Sequence, residues 1–140
     1  MLEDFLKKNH RFIVEIYTEL KRQEPSCKLF MIGDGPLKRQ IEKLCSDLNV
    51  TFTGTIDNIP EYLNAMDWVI LPSLFEGVPL VAIEWQINGL PCILSDVITG
   101  DCKLTDNVVF MSLDKEAEEW AKSILAEINN KEKILSRLEH

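Results

Sequence analysis

No run of apolar residues in this chain approaches the roughly 20 needed to span a bilayer, and no signal peptide opens it. The expectation is a soluble cytoplasmic protein that meets a membrane, if at all, only peripherally, at the inner face, through a longer parent. Basic residues are outnumbered, 15 Lys and Arg against 23 Asp and Glu, for a net charge of -8. That balance argues against nucleic acid or an anionic membrane as the main partner. The four cysteines, Cys27, Cys45, Cys92 and Cys102, show neither a CxxC pair nor metal-ligand spacing, so they read as buried, reduced thiols. No DxD pair, repeat, linker or low-complexity tract occurs, so residues 1–137 form one domain. Leu138-Glu139-His140 reads as a cloning scar and is set aside. Both ends suggest a piece excised from a longer protein.

What is present is an alternation of apolar segments, 46% of the 140 residues being apolar, enough for a real core. A one-faced helix is expected over 5–23, with Phe12, Ile13, Ile16, Tyr17 and Leu20 inward. A strand follows at 27–32, a Gly33-Asp34-Gly35-Pro36 turn, and a helix to about residue 48 with Leu37, Ile41, Leu44 and Cys45 inward. The GDG turn alone is weak as a phosphate loop, because a strand-to-helix turn commonly needs such residues. Further strands are expected at 50–53, ending at Gly54, and at 68–71, 91–94 and 108–111. Helices are expected at 59–66, 79–88 and 115–129, the last capped by Asp114, and a frayed one at 131–137. Residues 96–107 read as loop. Five strands with helices between most of them make a Rossmann-like, doubly wound α/β/α layer structure with a mostly parallel sheet.

Residues 67–95, DWVILPSLFEGVPLVAIEWQINGLPCILS, carry the chemistry. They form a βαβ unit whose loop, residues 72–78, is delivered to a helix N-terminus at the carboxyl end of a strand. Ligands bind at such places in open α/β sheets, and free N–H groups with the helix dipole favour an anion such as phosphate. Between Gly77 and Ser95 the only charged residue is Glu84, on the stripe Leu80, Ile83, Glu84, Ile87. A carboxylate there is expected to be buried or nearly so, at a cost of several kcal/mol unless satisfied. Two readings stand: a structural carboxylate held by backbone N–H groups or a distant Lys or Arg, or a cleft residue that accepts hydrogen bonds from ligand hydroxyls. Glu76, in the loop, is freer to be a plain solvated charge.

The segment PSLFEGVPLVAIEWQINGLPCILSD resembles the signature of group 1 (family four) retaining glycosyltransferases in their C-terminal, donor-binding domain. Four more pieces match in order: Lys8-Asn9, FMIGDGP at 30–36, VTFTG at 50–54 and YLNAMDWVILPS at 62–73. The ending SDVITGDCKLTDNVVFMSL is similar to members that build bacterial capsular and extracellular polysaccharides, with Asp101 where those usually carry Glu.

The resemblance implies a GT-B architecture and a nucleotide diphosphate sugar, UDP- or GDP-linked, as donor. Glu84 would accept hydrogen bonds from the ribose hydroxyls. Glu76 would sit beside the donor sugar and help stabilise charge developing at the anomeric carbon. Backbone N–H groups of Phe75, Gly77, Val78 and Leu80 would meet the sugar and diphosphate, Lys8 would hold half of the family's diphosphate clamp, and Gly33, Gly54 and Thr55 would lie near the base. No metal or other cofactor is implied. The acceptor, a glycan or lipid-linked saccharide, and the N-terminal GT-B domain lie outside the chain, which alone is expected to be inactive. The family's first strand, ending in Gly-Arg, has no counterpart in residues 1–5. Its loss from mid-sheet would expose the strand that begins at Trp68, so either the remaining strands close the gap or two chains pair or swap an element, giving a homodimer. Trp85, Ile87 and Asn88 replace small residues and read as core variation. Two other classes fit the residues less well: a receiver-like or nucleotide-binding regulatory module, which needs an acidic cluster that Asp34 alone does not make, and a non-hydrolysing epimerase, which lacks this form of the E-x7-E loop.

Overall fold

The computed structural model describes residues 9–32, 38–45, 48–54, 61, 64–73, 80–98 and 100–127. Helix α1 (His10–Gln23) leads to strand β1 (Leu29–Ile32), α2 (Lys38–Leu44), β2 (Val50–Gly54), β3 (Val69–Leu71), α3 (Leu80–Ile87), β4 (Cys92–Ser95), a 3-10 turn (Gly100–Cys102) and β5 (Val108–Met111). Residues 117–127 form α4, and Glu61 and Asn64 are helical within the segment expected as a helix. Each of the five expected strands forms, displaced by at most two residues at an end. Residues 131–137 lie outside the described residues.

All pairings among the described residues are parallel: β1 with β2, β3 with β4 and β4 with β5. Apolar runs without strict alternation favour this, because such strands are covered on both faces. All four residues of β4 are buried, at the middle of its three-stranded sheet. Its side chains alternate between two cores. Ile93 joins Ile16, Leu20, Met111, Trp120, Ala121 and Ile124 under α1 and α4, whereas Cys92 and Leu94 join Leu71, Ala82, Ile98, Cys102 and Val108 under α3. Helices on both faces make the fold a Rossmann-like α/β layer structure.

Helix α1 reaches the second sheet as well. Val14 packs with Ile41 and Cys45 of the α2 segment against Met31, Val50 and Phe52. The Tyr17 hydroxyl, with one proton to give, lies 3.2 Å from the Cys27 carbonyl and 3.0 Å from that of Asn49, just before β1 and β2. Yet β1–β2 and β3–β4–β5 are two separate sheets. Among the described residues the remaining strands do not close the gap by pairing across it.

Two expectations about burial need correcting in the outer helices. Leu44 is 40% exposed, because α2 turns Ile41 and Cys45 inward and leaves Leu44 beyond the buried arc. Asp114 does not cap α4. The helix starts at residue 117, its first bonds run from Glu119 and Trp120 N–H to the Glu116 carbonyl, and the Asp114 N–H instead donates to the Ser112 hydroxyl. Trp120 explains that later start: its indole Nε1 donates to the Ser112 carbonyl at 3.1 Å while its ring packs on Phe12, 5.4 Å between centroids. Seating this wholly buried side chain sets where the helix begins.

Candidate functional site

The site is built around the start of α3, which follows the carboxyl end of β3. Pro72 and Ser73 are fully buried as the chain leaves β3. The Ser95 hydroxyl, at the end of β4, donates to the Ser73 carbonyl at 2.6 Å. The bases of the two strand-end loops are therefore tied together by one short bond between buried groups. Leu80 is the first described residue of α3, and a helix N-terminus, with N–H groups that lack an intrahelical partner, is a natural place for an anion.

Glu84 lies one turn further on, and it is exposed. The expectation of a buried carboxylate is wrong. Helix α3 is apolar on nearly every side, so periodicity alone does not choose its inner face. The face it buries carries Ala82, with no exposed surface, and Gln86, 3% exposed, whereas Ile87, on the stripe with Glu84, is 75% exposed. Ile87 and Asn88 are accordingly surface residues and not core variation. The exposure removes the structural reading of Glu84. A carboxylate in water carries no desolvation debt and needs no internal partner.

Gln86, which the sequence reading passed over, is the polar group that α3 does bury. Its Nε2 donates to the carbonyls of Ala82 at 3.1 Å and Cys102 at 2.8 Å. Its Oε1 accepts from the N–H groups of Leu104 at 2.6 Å and Thr105 at 3.0 Å. All the hydrogen-bonding capacity of the amide is used, the condition under which a buried polar side chain is retained without penalty. The one signal available in the sequence was an amide at i+4 from an alanine, inside a helix with few other polar groups.

Gly54 ends β2 with φ +66°, and nothing lies within 4 Å of where a Cβ would stand. The ladder slips there: Met31 pairs with Phe52 but Ile32 with Gly54, leaving Thr53 as the extra residue. A left-handed glycine at a bulge turns the chain out of the strand. Lys8, Gly33, Thr55, Phe75, Glu76, Gly77 and Val78 lie outside the described residues. Of the expected site, then, Gly54, the backbone of Leu80 and Glu84 are in view.

The cysteines are free, and three of the four are buried. Burial, with the Cys102 thiol nearby, pushes the Cys92 thiol up to about 12, and burial raises Cys27, Cys45 and Cys102 as well. They are inert protonated thiols rather than nucleophiles. Among the described residues no group of three His, Cys, Asp or Glu is placed to hold a metal ion, and no helix is long and apolar enough to cross a membrane.

The chain is similar to several known proteins. EpsF of Bacillus subtilis (strain 168), named as a glycosyltransferase, is 38% identical over 122 residues, covering 84% of this chain and 32% of EpsF. The solved structure of TarM matches with a TM-score of 0.78 at 23% identity, over 89% of this chain and 26% of TarM. That of HepE from Anabaena in complex with UDP-glucose matches with a TM-score of 0.70 at 22% identity, over 86% of this chain and 36% of HepE. At such identities the structural likeness establishes the fold, and the chain spans less than a third of the length of EpsF. The receiver-like and epimerase readings find no support in these matches. A profile described as glycosyl transferases group 1 matches residues 2–130, and the chain belongs to that family.

Proposed function

We propose that this chain is the C-terminal, donor-binding half of a retaining GT-B glycosyltransferase. The whole enzyme transfers a sugar from a nucleotide diphosphate sugar, UDP- or GDP-linked, to a glycan or lipid-linked acceptor during bacterial polysaccharide assembly, capsule included, in the cytoplasm or at the inner face of the membrane. The observation that carries the reading is the exposed Glu84 one turn into a helix whose N-terminus follows the carboxyl end of a parallel strand. HepE, a structural neighbour, was crystallised with UDP-glucose, which is in keeping with a nucleotide-sugar donor.

In this reading Glu84 accepts hydrogen bonds from the ribose hydroxyls. The N–H groups at the start of α3, Leu80 included, face the diphosphate, where the dipole and unpaired donors stabilise the charge of the leaving group. Phe75, Gly77 and Val78 add backbone donors from the loop, Glu76 lies beside the sugar and stabilises positive charge at the anomeric carbon, and Lys8 balances the diphosphate. Gly33, Gly54 and Thr55 border the base. The reaction needs no metal. The groups that bind and orient the acceptor belong to an N-terminal domain outside this chain, so the chain alone binds nucleotide weakly and does not turn over.

Calorimetric titration with UDP-, GDP-, ADP- and CMP-sugars identifies the donor. Replacing Glu84 by Ala removes a charged acceptor from two hydroxyls and is expected to weaken the preferred donor by about 2 kcal/mol, roughly thirtyfold. Equal binding by wild type and variant would remove the ribose role. Measurable transfer by the isolated chain to a polysaccharide acceptor would overturn the division of labour between the domains.

A further inference from the structure

Two polar clamps bracket the segment that the proposed function assigns to the donor, and both are made by buried side chains. Before it, the Ser95 hydroxyl holds the Ser73 carbonyl. After it, Gln86 joins α3 to the connection between β4 and β5 through the carbonyl of Cys102 and the N–H groups of Leu104 and Thr105. Apolar packing also seats α3, through the buried Ala82 and the partly buried Trp85, while Ile87 stands 75% exposed. Apolar contact is non-directional and does not by itself fix a helix along its axis. Hydrogen bonds have a fixed length and direction and resist such sliding. Three of the four bonds to this amide run to the backbone of residues 102–105 and fix where the helix lies along its axis.

We propose that Gln86 is a positioning residue for the donor site. By fixing α3 on the backbone of residues 102–105, it sets where the N-terminus of the helix and Glu84, half a turn from Gln86 and facing the other way, stand relative to the ends of β3 and β4. Gln86 itself touches no donor atom. Its effect reaches the site through the rigid helix, so losing it alters nucleotide affinity in protein that is still folded.

This inference rests on the donor-binding reading, and the test separates the two. Titration of the wild-type chain with UDP, GDP and ADP comes first; if none binds, the donor reading fails and the positioning role falls with it. Given binding, Gln86→Glu keeps the shape and the acceptor oxygen but loses both N–H donors, and it places a carboxylate against the carbonyls of Ala82 and Cys102. At about pH 8 the variant is expected to bind the nucleotide about tenfold more weakly at a temperature where it is fully folded, because small displacements of a binding group are costly. A buried Glu takes up its proton above the usual carboxylate range, so lowering the pH to about 5.5 restores one donor and should recover part of the affinity, while wild type shows no such recovery. Ile124→Val, a core change on the inner face of α4, should lower the melting temperature and leave affinity alone. Unchanged affinity in folded Gln86→Glu, or an equal loss in Ile124→Val, would overturn the role. Should Gln86→Glu fail to fold at about pH 8, Gln86→Met fills the same space without the four hydrogen bonds and is read by the same two outcomes.

Discussion

Glu84 and Gln86 sit two positions apart on one helix and end in opposite environments, the ionisable group in water and the neutral amide in the core. The arrangement follows from satisfiability, since a primary amide can meet two carbonyls and two N–H groups at once, whereas a carboxylate cannot donate at all. Cys92 shows a different consequence of burial. Its thiol has no exposed surface, its Sγ lies 3.4 Å from the Leu90 carbonyl, and it is pushed from 9.0 up to about 12. In the unfolded chain the thiol ionises near its ordinary value, so between the two values the unfolded state binds fewer protons than the folded one. Stability should therefore be unaffected by this group below about pH 9 and fall as pH rises towards 12, by up to about 1.4 kcal/mol per pH unit. Urea unfolding across that range checks it, and Cys92→Ala should remove this part of the slope while costing about 1 kcal/mol at neutral pH. The inert thiols were legible from their apolar neighbours alone. The role of Gln86 was not, because its partners lie 16 to 19 residues away in sequence, on a loop that no local pattern places beside α3.

The end of α3 shows how completely a single residue can punctuate an element. Gly89 has φ +78°, its N–H donates to the Gln86 carbonyl, and the Leu90 N–H donates to that of Trp85, the paired bonds of a Schellman motif. Nothing lies within 4 Å of a Cβ built on Gly89, so a substitution there meets only a conformational cost. Gly89→Ala should lower stability by about 1 kcal/mol and Gly89→Asn by less, measured by chemical denaturation, because asparagine tolerates the left-handed region. If Gln86 and this cap hold α3 together, Gly89→Ala should also weaken nucleotide binding more than its stability loss alone explains. Turn chemistry of this kind is local, which is why the helix stop at Gly89 was readable. The start of α4 was not: Asp114 is a good capping residue, but Trp120 seated against Phe12 and Ser112 moved the start to residue 117.

At the scale of the molecule, two parallel sheets share the cover of one helix, α1, and among the described residues do not pair with each other. Among the described residues β1 has β2 as its only partner strand and β3 has β4, so each sheet keeps an edge without a strand beside it. Edges with unmet N–H and carbonyl groups pair with whatever strand is offered. The isolated chain is expected to associate with a second copy through them, seen as a concentration-dependent mass by light scattering; a monomer at all concentrations with protected amides on β1 and β3 would refute this. The sequence by itself determined the class of the fold, because strand runs, glycine stops and helix starts are short-range patterns that parallel α/β packing reads almost directly. Only the tertiary structure decided which face of α3 is buried, that Glu84 is exposed while Gln86 is clamped, and that the sheet divides. Those outcomes depend on competition among segments far apart in the chain, and a helix that is apolar nearly all round holds no local preference among its faces.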